Sequence, residues 1–250
     1  MFSKNNITAL VPVKGDSERV KKKNLTNFAG SNLYKIKIKQ LKKTNCFKKI
    51  VISSENKKIL KYARDNGFDT HLRDKYFSTS SVPMSEVYKN IASQIKGDYI
   101  AWINVTNPLC DEFIYQSAVK KFKEISKNYD CFLSAVNNQQ NFFYKKKPIN
   151  FKRSPWPRSQ DLEPLLTLPF AISILKRKDM VKWGSCVGKK PYFYKLNSLV
   201  ATDIDDQYSF KIAELLYKNK LFGLKKTDLL RMISSNFSKN SLYFLMYCHF

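Results

Sequence analysis

Short apolar runs alternate along this chain with longer segments whose apolar residues recur every three or four positions. Ile7-Thr8-Ala9-Leu10-Val11-Pro12-Val13 is rich in β-branched residues and carries no charge, which predicts a strand buried on both faces. Residues 31–43 predict a helix, although Lys35-Ile36-Lys37-Ile38-Lys39 alternates with the period of a strand. Residues 49–53 predict a second strand. Residues 54–56 then open a helix carrying Ile59, Leu60 and Ala63, which Gly67 ends. The rhythm continues with a strand at 68–72, a helix at 85–95, a strand at 99–105, a helix at 111–128 and a strand at 131–135. Regular elements return at 170–175, 192–196 and in a helix at 208–218 with Ile212, Ala213, Leu215 and Leu216 on its buried side. Such alternation predicts a parallel sheet with helices on both faces. Residues 137–169 mix Asn, Gln, Lys, Pro and aromatics without a period, as an excursion does that covers a site or meets a partner chain. After Lys220 only the apolar segment 242–248 stands out, and it points to docking rather than chemistry.

Composition narrows the function classes. A length of 250 residues suits one generous core with an appendage. A net charge of +25 favours polyanionic partners: nucleotides, nucleic acid or an acidic membrane face. The five cysteines (Cys46, Cys110, Cys131, Cys186 and Cys248) are scattered, with no Cys-x-x-Cys pair, so neither a disulfide framework nor a zinc site is expected. With only His71 and His249, neither a histidine triad nor a histidine-rich metal site is expected, and His71 is expected to pack. The N-terminus lacks an apolar signal region, and no apolar run approaches the ~20 residues that cross a bilayer, so a cytoplasmic protein without a membrane partner is expected.

The loop that follows the first strand changes the picture most. Lys14-Gly15-Asp16-Ser17-Glu18-Arg19-Val20-Lys21-Lys22-Lys23-Asn24 gathers a Gly, a Ser and five cations at the carboxyl end of a buried strand, where α/β sheets bind ligands. Backbone N–H groups there can converge on an anion while Lys and Arg neutralise a polyphosphate. It lacks the three glycines of a dinucleotide loop, and Gly184-Ser185-Cys186-Val187-Gly188-Lys189-Lys190 imitates a P-loop but is one residue short and has no hydroxyl for magnesium. Near the other end, Ala201-Thr202-Asp203-Ile204-Asp205-Asp206 spaces two carboxylates so that both can approach one hard cation. An acidic helix cap reads equally well from these residues alone. Together, the loop supplies cations for a polyphosphate and the carboxylates a place for the metal that bridges it.

These landmarks, with Ile52-Ser53-Ser54-Glu55, His71-Leu72-Arg73-Asp74 and Asn104-Val105-Thr106-Asn107-Pro108-Leu109, resemble the acylneuraminate cytidylyltransferase family, which activates sialic acids and related acidic sugars. The resemblance covers roughly residues 7–218. It implies an α/β fold of the nucleotide-diphospho-sugar-transferase type, a three-layer sandwich around a mixed, mostly parallel sheet. Residues 1–220 would form the catalytic unit, with 137–169 as a lid or homodimer contact and 221–250 as a tail. The implied activity couples CTP to an acidic sugar with release of pyrophosphate. On that resemblance Lys14, Arg19 and Lys23 contact the triphosphate together with Gly15 and Ser17. Asn24, Arg73 and Ser85 form the cytidine pocket, Asn104, Thr106 and Gln160 face the sugar, and Asp203 and Asp205 bind Mg²⁺.

The departures matter too. Lys14 replaces the family's Arg and keeps the charge without the planar fork. Asn104-Val105-Thr106-Asn107-Pro108-Leu109-Cys110 replaces a Gln-Pro-Thr-Ser-Pro-Leu-Arg turn, and Gln160-Asp161-Leu162 runs on without the family's Arg-Pro-Asn-Gly. Loss of that Arg points to an acidic or modified sugar other than N-acetylneuraminate. Two rival classes remain open at this level: a basic nucleic-acid binder stacking bases on Phe142, Phe143, Tyr144 and Trp156, and a glycosyltransferase using Asp203 and Asp205 for its metal.

Overall fold

The computed structural model describes residues 6–17 and 19–219. The tail expected at 221–250, with its apolar segment, lies outside the described residues. In chain order the elements are β1 (Ile7–Pro12), α1 (Leu33–Lys42), β2 (Lys49–Ser54), α2 (Lys57–Asp65), β3 (Asp69–Leu72), α3 (Met84–Gln94), β4 (Tyr99–Trp102), α4 (Glu112–Ile125) and β5 (Cys131–Asn138). There follow β6 (Phe143–Tyr144), β7 (Lys147–Pro148), β8 (Leu165–Thr167), β9 (Ser173–Lys176), α5 (Arg177–Trp183), β10 (Pro191–Lys195) and α6 (Gln207–Lys218).

The main sheet runs β10-β5-β9-β4-β1-β2-β3, with β8 added beside β5. β1 is parallel to both β2 and β4, β2 to β3 and β5 to β10, whereas β9 is antiparallel to both β4 and β5. The sheet is therefore mixed and mostly parallel, as expected. Period-two alternation divides each strand between two cores. Ala9, Val11, Ala101, Ile103, Phe132 and Ile174 pack toward α1, α2 and α4, where Ile38, Leu41, Ile59 and Tyr115 are fully buried. Leu10, Ile100, Trp102, Cys131, Leu133 and Leu175 pack toward Ile91 of α3 and Met180 of α5. The result is the predicted three-layer sandwich.

The structure differs from the sequence expectations in places. Residues 137–169 are not irregular throughout: β5 runs on to Asn138, β6 and β7 form a hairpin, and β8 returns antiparallel to β5. The short helix α5, ended by Gly184 in the left-handed conformation (φ 61°), was not anticipated. Residues 103–105, expected as strand, leave the sheet after Trp102 and turn beneath the cleft. His71 does pack, bridging Ser53 Oγ of β2 (2.9 Å) and Gln94 Oε1 of α3 (3.1 Å).

Two features place the site. The chain leaves β1 for β2 on one side and later returns as β4 on the other, so the loop after β1 sits at a topological switch point. A third cluster then joins this loop to α6: Val20, Phe28, Leu33 and Ile36 pack on Ile204, Phe210 and Ala213. Phe28 meets Phe210 edge-on at 5.3 Å. Phe28→Ala should therefore cost about 3–5 kcal/mol of unfolding free energy, measured by urea denaturation, and should loosen α6 before the sheet. A loss below ~1 kcal/mol would show that this cluster does not hold the two segments together.

Candidate functional site

Beyond the carboxyl ends of β1 and β4 lies a cleft of about 560 Å³, within the range of small-molecule sites. Lys14, Ser17, Arg19, Lys23 and Asn24 enter it from the first loop, Arg73 from the end of β3, Asn104 and Thr106 from the turn after β4, and Asp203 and Asp205 from the segment before α6. Phe77, Val82, Met84, Val87 and Trp102 form an apolar wall. Five segments separated by up to 190 residues of sequence thus converge on one cavity.

The loop's cations divide by role. Lys21 and Lys22 are exposed, whereas Lys23 is buried, and its ammonium donates to the Ile204 carbonyl. The loop is closed by Ser17, whose Oγ donates to Val20 O (2.5 Å) and accepts from Lys23 N (2.8 Å). Asn24 Nδ2 donates to Lys14 O (2.9 Å), and its buried Oδ1 has no partner. Arg19, largely exposed, pairs with Asp205 at 2.8 Å. An exposed pair of this kind contributes little to stability and is readily exchanged for another anion.

Burial governs the electrostatics. It pushes Lys23 below the usual lysine range despite Asp203 and Asp205 nearby, and it pushes Asp203 above the usual carboxylate range despite a hydrogen bond from Thr106 and the charge of Lys23. Asp203 Oδ1 is buried without a hydrogen-bond partner. The capping reading of the acidic cluster belongs to Asp206 alone: its side chain accepts from Ser209 N (2.7 Å) in a capping box at the start of α6. Asp203 and Asp205 are left to face the cleft. No group of three or more His, Cys, Asp or Glu that could hold a metal occurs among the described residues. An ion at this pair would need oxygens from a ligand, which is how Mg²⁺ is usually held.

Three expected site residues stand elsewhere. Gly15 does not line the cleft, because its N–H donates to Glu55 Oε1 (2.5 Å) instead of facing a phosphate. A Cβ at Gly15 would lie 2.7 Å from Asn56 Nδ2, so the glycine serves this close approach. Ser85 is exposed in the first turn of α3, beside the lining residues Met84 and Val87 rather than among them. Gln160 is exposed in the 3₁₀ turn Ser159–Asp161, where its carbonyl accepts from Gln139. Of the aromatics expected to stack bases, Phe143 and Trp156 each meet Phe151 edge-on, at 5.4 Å and 5.0 Å, outside the cleft.

Glu55 was given no role by the sequence reading. Its carboxylate accepts from Gly15 N, from Arg73 Nη2 (3.0 Å) and from Ser78 Oγ (2.9 Å), clasping three walls of the cleft. Burial raises its pKa, but hydrogen bonds from its own N–H, Gly15, Arg73 and Ser78 outweigh burial and hold it below the usual range. The signal available in the sequence was a lone acid closing a β-strand beside a Gly-containing loop. Trp102 was likewise passed over: its indole N–H donates to Asn104 Oδ1 (3.1 Å), and because indole can only donate, the Asn104 NH₂ is left as the free end of that amide.

A family model described as cytidylyltransferase matches residues 8–159. The chain is 25% identical to N-acylneuraminate cytidylyltransferase A of Danio rerio over 93% of its own length and 56% of that protein's, so it spans little more than half of that relative. It is 25% identical to the pseudaminic acid cytidylyltransferase of Campylobacter jejuni, covering 84% of this chain and 95% of that one. Among solved structures, CMP:2-keto-3-deoxy-manno-octonic acid synthetase complexed with CTP superposes with a TM-score of 0.63 at 8% identity, covering 86% of this chain and 100% of the other. A cytidylyltransferase from Leptospira borgpetersenii superposes with a TM-score of 0.57 at 17% identity, covering 93% and 95%. At these identities the superpositions speak to the fold, which they share.

The clasp makes a testable statement about stability. Arg73 has a side chain only 2% exposed, so Glu55→Ala would leave a buried guanidinium without its carboxylate. We expect a loss of about 3–5 kcal/mol, read from chemical denaturation. Because the Glu55 pKa is depressed on folding, its contribution is present above the ordinary glutamate pKa and fades as pH falls through the lower folded value. The wild-type advantage over Glu55→Gln should therefore shrink in acid. An advantage that does not depend on pH would remove the charge from the explanation.

Proposed function

The chain belongs to the cytidylyltransferase family, and from that premise we propose that it transfers the cytidylyl group of CTP to a hydroxyl of an acidic sugar of the sialic or pseudaminic type, releasing pyrophosphate. The observation that carries this reading is the convergence of Lys14, Arg19 and Lys23 with Asp203 and Asp205 on one cleft. A nucleoside diphosphate sugar needs less neutralisation than a free triphosphate, so three cations beside two carboxylates favour the triphosphate as ligand.

Each residue has a part in this reading. Lys14 and Lys23 neutralise the triphosphate, and Arg19 exchanges Asp205 for a phosphate oxygen. A polyphosphate adds negative charge at buried Lys23, which otherwise meets the Ile204 carbonyl and the nearby Asp203 and Asp205 carboxylates. Asn24, Arg73 and the apolar wall receive the nucleoside, and the Asn104 NH₂ and Thr106 face the second substrate. Positioning and charge neutralisation account for most of the barrier lowering in such transfers. Asp203 and Asp205 fit Mg²⁺, since Asp203 offers a buried oxygen without a partner. When bound, the ion supplies Lewis-acid neutralisation of phosphoryl charge. The related names in the comparisons support an acidic sugar as acceptor, and the altered sugar-side segments favour one other than N-acetylneuraminate.

The same resemblance supports a homodimer. Phe143, Tyr144, Ile149 and Trp156 expose more than half of their surface on the β6–β7 hairpin and the segment after it, a fitting aromatic patch for a subunit contact. In this reading residues 1–220 form the catalytic unit and 137–169 the contact. Among the described residues no helix is long and apolar enough to cross a membrane.

Pyrophosphate release, assayed with CTP, Mg²⁺ and a panel of acidic sugars, should be specific for CTP over ATP, GTP and UTP. It should fall about 100-fold or more in Asp205→Ala and Asp203→Asn. Absence of both release and calorimetric CTP·Mg²⁺ binding would sink the assignment. For the dimer, sedimentation should show a two-chain species that Trp156→Asp converts to one chain. A monomeric wild type at micromolar concentration would end that reading.

A further inference from the structure

One buried charge has no part in the site as described. Lys37 lies in the middle of α1 and is fully buried, with no salt bridge to any described residue. Its ammonium donates to Asn107 O (2.9 Å), Cys110 O (3.1 Å) and Tyr115 Oη (2.6 Å), and lies 4.8 Å from the Tyr115 ring centroid. One helical turn on, Gln40 Nε2 donates to Pro108 O (2.7 Å). Three carbonyls of the turn at 107–110 are therefore held from below by two polar side chains of α1. A charge buried among dipoles alone is costly to retain, so its presence asks for an account.

The turn is what the metal-side segment hangs from. Asn107 Nδ2 lies 3.3–3.4 Å from Pro169 O, Ala201 O and Thr202 O. Thr106 O accepts from Ile204 N (2.9 Å), and Cys110 Sγ donates to Val200 O (3.3 Å). Hydrogen bonds from both sides of Asp203 thus run to residues 106–110, which rest on Lys37 and Gln40, while Lys23 holds the Ile204 carbonyl from the other side.

We propose that Lys37 is a positioning residue for nucleotidyl transfer: its ammonium fixes the turn at 107–110, and through Asn107 and Thr106 it holds the segment bearing Asp203 and Asp205 over the cleft. It touches neither substrate nor metal. The proposal rests on the cytidylyltransferase reading for its catalytic consequence, and on the structure alone for its mechanical one. The ammonium makes charge-assisted bonds to the two carbonyls and the phenol; a neutral amine still has two hydrogens for the carbonyls and can accept from the Tyr115 hydroxyl, but these bonds are weaker. Burial lowers the Lys37 pKa to about 8, so the third hydrogen is lost at mildly alkaline pH. The titratable groups facing it are Cys110, raised to about 11 by burial, Tyr115, raised well above the usual tyrosine value, and the carboxylate of Asp111 that caps α4. Cys110 and Tyr115 stay neutral through the window in which Lys37 titrates.

The test combines hydrogen exchange with kinetics on the full chain, comparing wild type with Lys37→Met. We expect the Ile204 amide to lose at least tenfold in protection while the β1 amides keep theirs. We expect kcat to fall about 30–100-fold with KM for CTP within threefold, and the alkaline limb near pH 8 to disappear. Unchanged Ile204 protection together with kcat within twofold would overturn the proposal. So would loss of protection spread evenly through β1, β2 and β4, which would make Lys37 a residue of the fold rather than of the site. Should the variant not fold, wild type carries the test: Ile204 protection, corrected for base catalysis, should fall as pH rises through about 8 while that of Leu10 does not. Constancy of both would overturn the proposal. A wild type that turns over no CTP yet shows the expected protection pattern would retain Lys37 in its role and remove the transferase reading instead.

Discussion

A cation taken out of water must be met by an anion or by several dipoles, and among the described residues three cations are buried in or beneath one cleft. Each is met differently. Arg73 is met by the Glu55 carboxylate, Lys37 by two carbonyls and a phenol, and Lys23 by the Ile204 carbonyl with Asp203 close by. These pairings also decide which backbone segments meet. Glu55 draws the first loop and the Ser78 segment to β2, Lys37 ties α1 to the turn after β4, and Lys23 ties the first loop to the segment before α6. The walls of the cleft are thus joined by polar contacts and, between the first loop and α6, by the cluster around Phe28 and Phe210, while the two larger apolar cores beneath hold the sheet that carries them. Breaking such a pairing leaves a partner unsatisfied at low dielectric, which costs more than the pairing contributed. The site's geometry and its charge are therefore one constraint.

The net charge takes on a definite meaning in this light. Most of the +25 sits on exposed lysines such as Lys21 and Lys22, which raise the local concentration of polyanions without contacting them. The three cations that enter the cleft from the first loop differ from these in burial or in partners. Arg19 is already paired with a carboxylate that an incoming phosphate can replace, and Lys23 is poorly solvated until an anion arrives. A ligand that brings its own negative charge relieves Lys23, and a cation accompanying it relieves Asp203. This complementarity favours a metal–triphosphate over either component alone.

Much of this was legible in the sequence where one residue type carried one meaning. The uncharged run at 7–13 could only be a buried strand, and the alternation that follows gave the layers. The cationic loop and Asp203 with Asp205 reach one cleft because a strand end and a helix start fix where such residues point. Other features depended on partners far along the chain. The antiparallel insertion of β9 between β4 and β5 leaves no mark in period or composition. The helix α5 is too short to show a periodicity. The hairpin at β6 and β7 turns on Lys145 and Lys146 with φ of 46° and 65°, residues that carry no turn signal. Gly15 was read as a phosphate ligand because a glycine after a strand so often is one, and only the structure showed Glu55 in that place.

Lys37 shows why such a failure is informative. Read locally, Lys35-Ile36-Lys37-Ile38-Lys39 alternates like a strand, which is the pattern least compatible with the helix that forms. The conflict arises because Lys37 occupies a core position on α1, between Leu33 and Leu41 on the buried side, where helical periodicity calls for an apolar residue. A lysine there weakens the helical signal and costs desolvation free energy, and both costs follow from one side chain that reaches across to the turn at 107–110. Natural sequences break a local rule of this kind mainly where something beyond folding depends on the exception. Here the exception lies one hydrogen-bond shell below the carboxylates of the cleft, so a departure from periodicity on the first helix and the placement of Asp203 more than 160 residues later have the same physical origin.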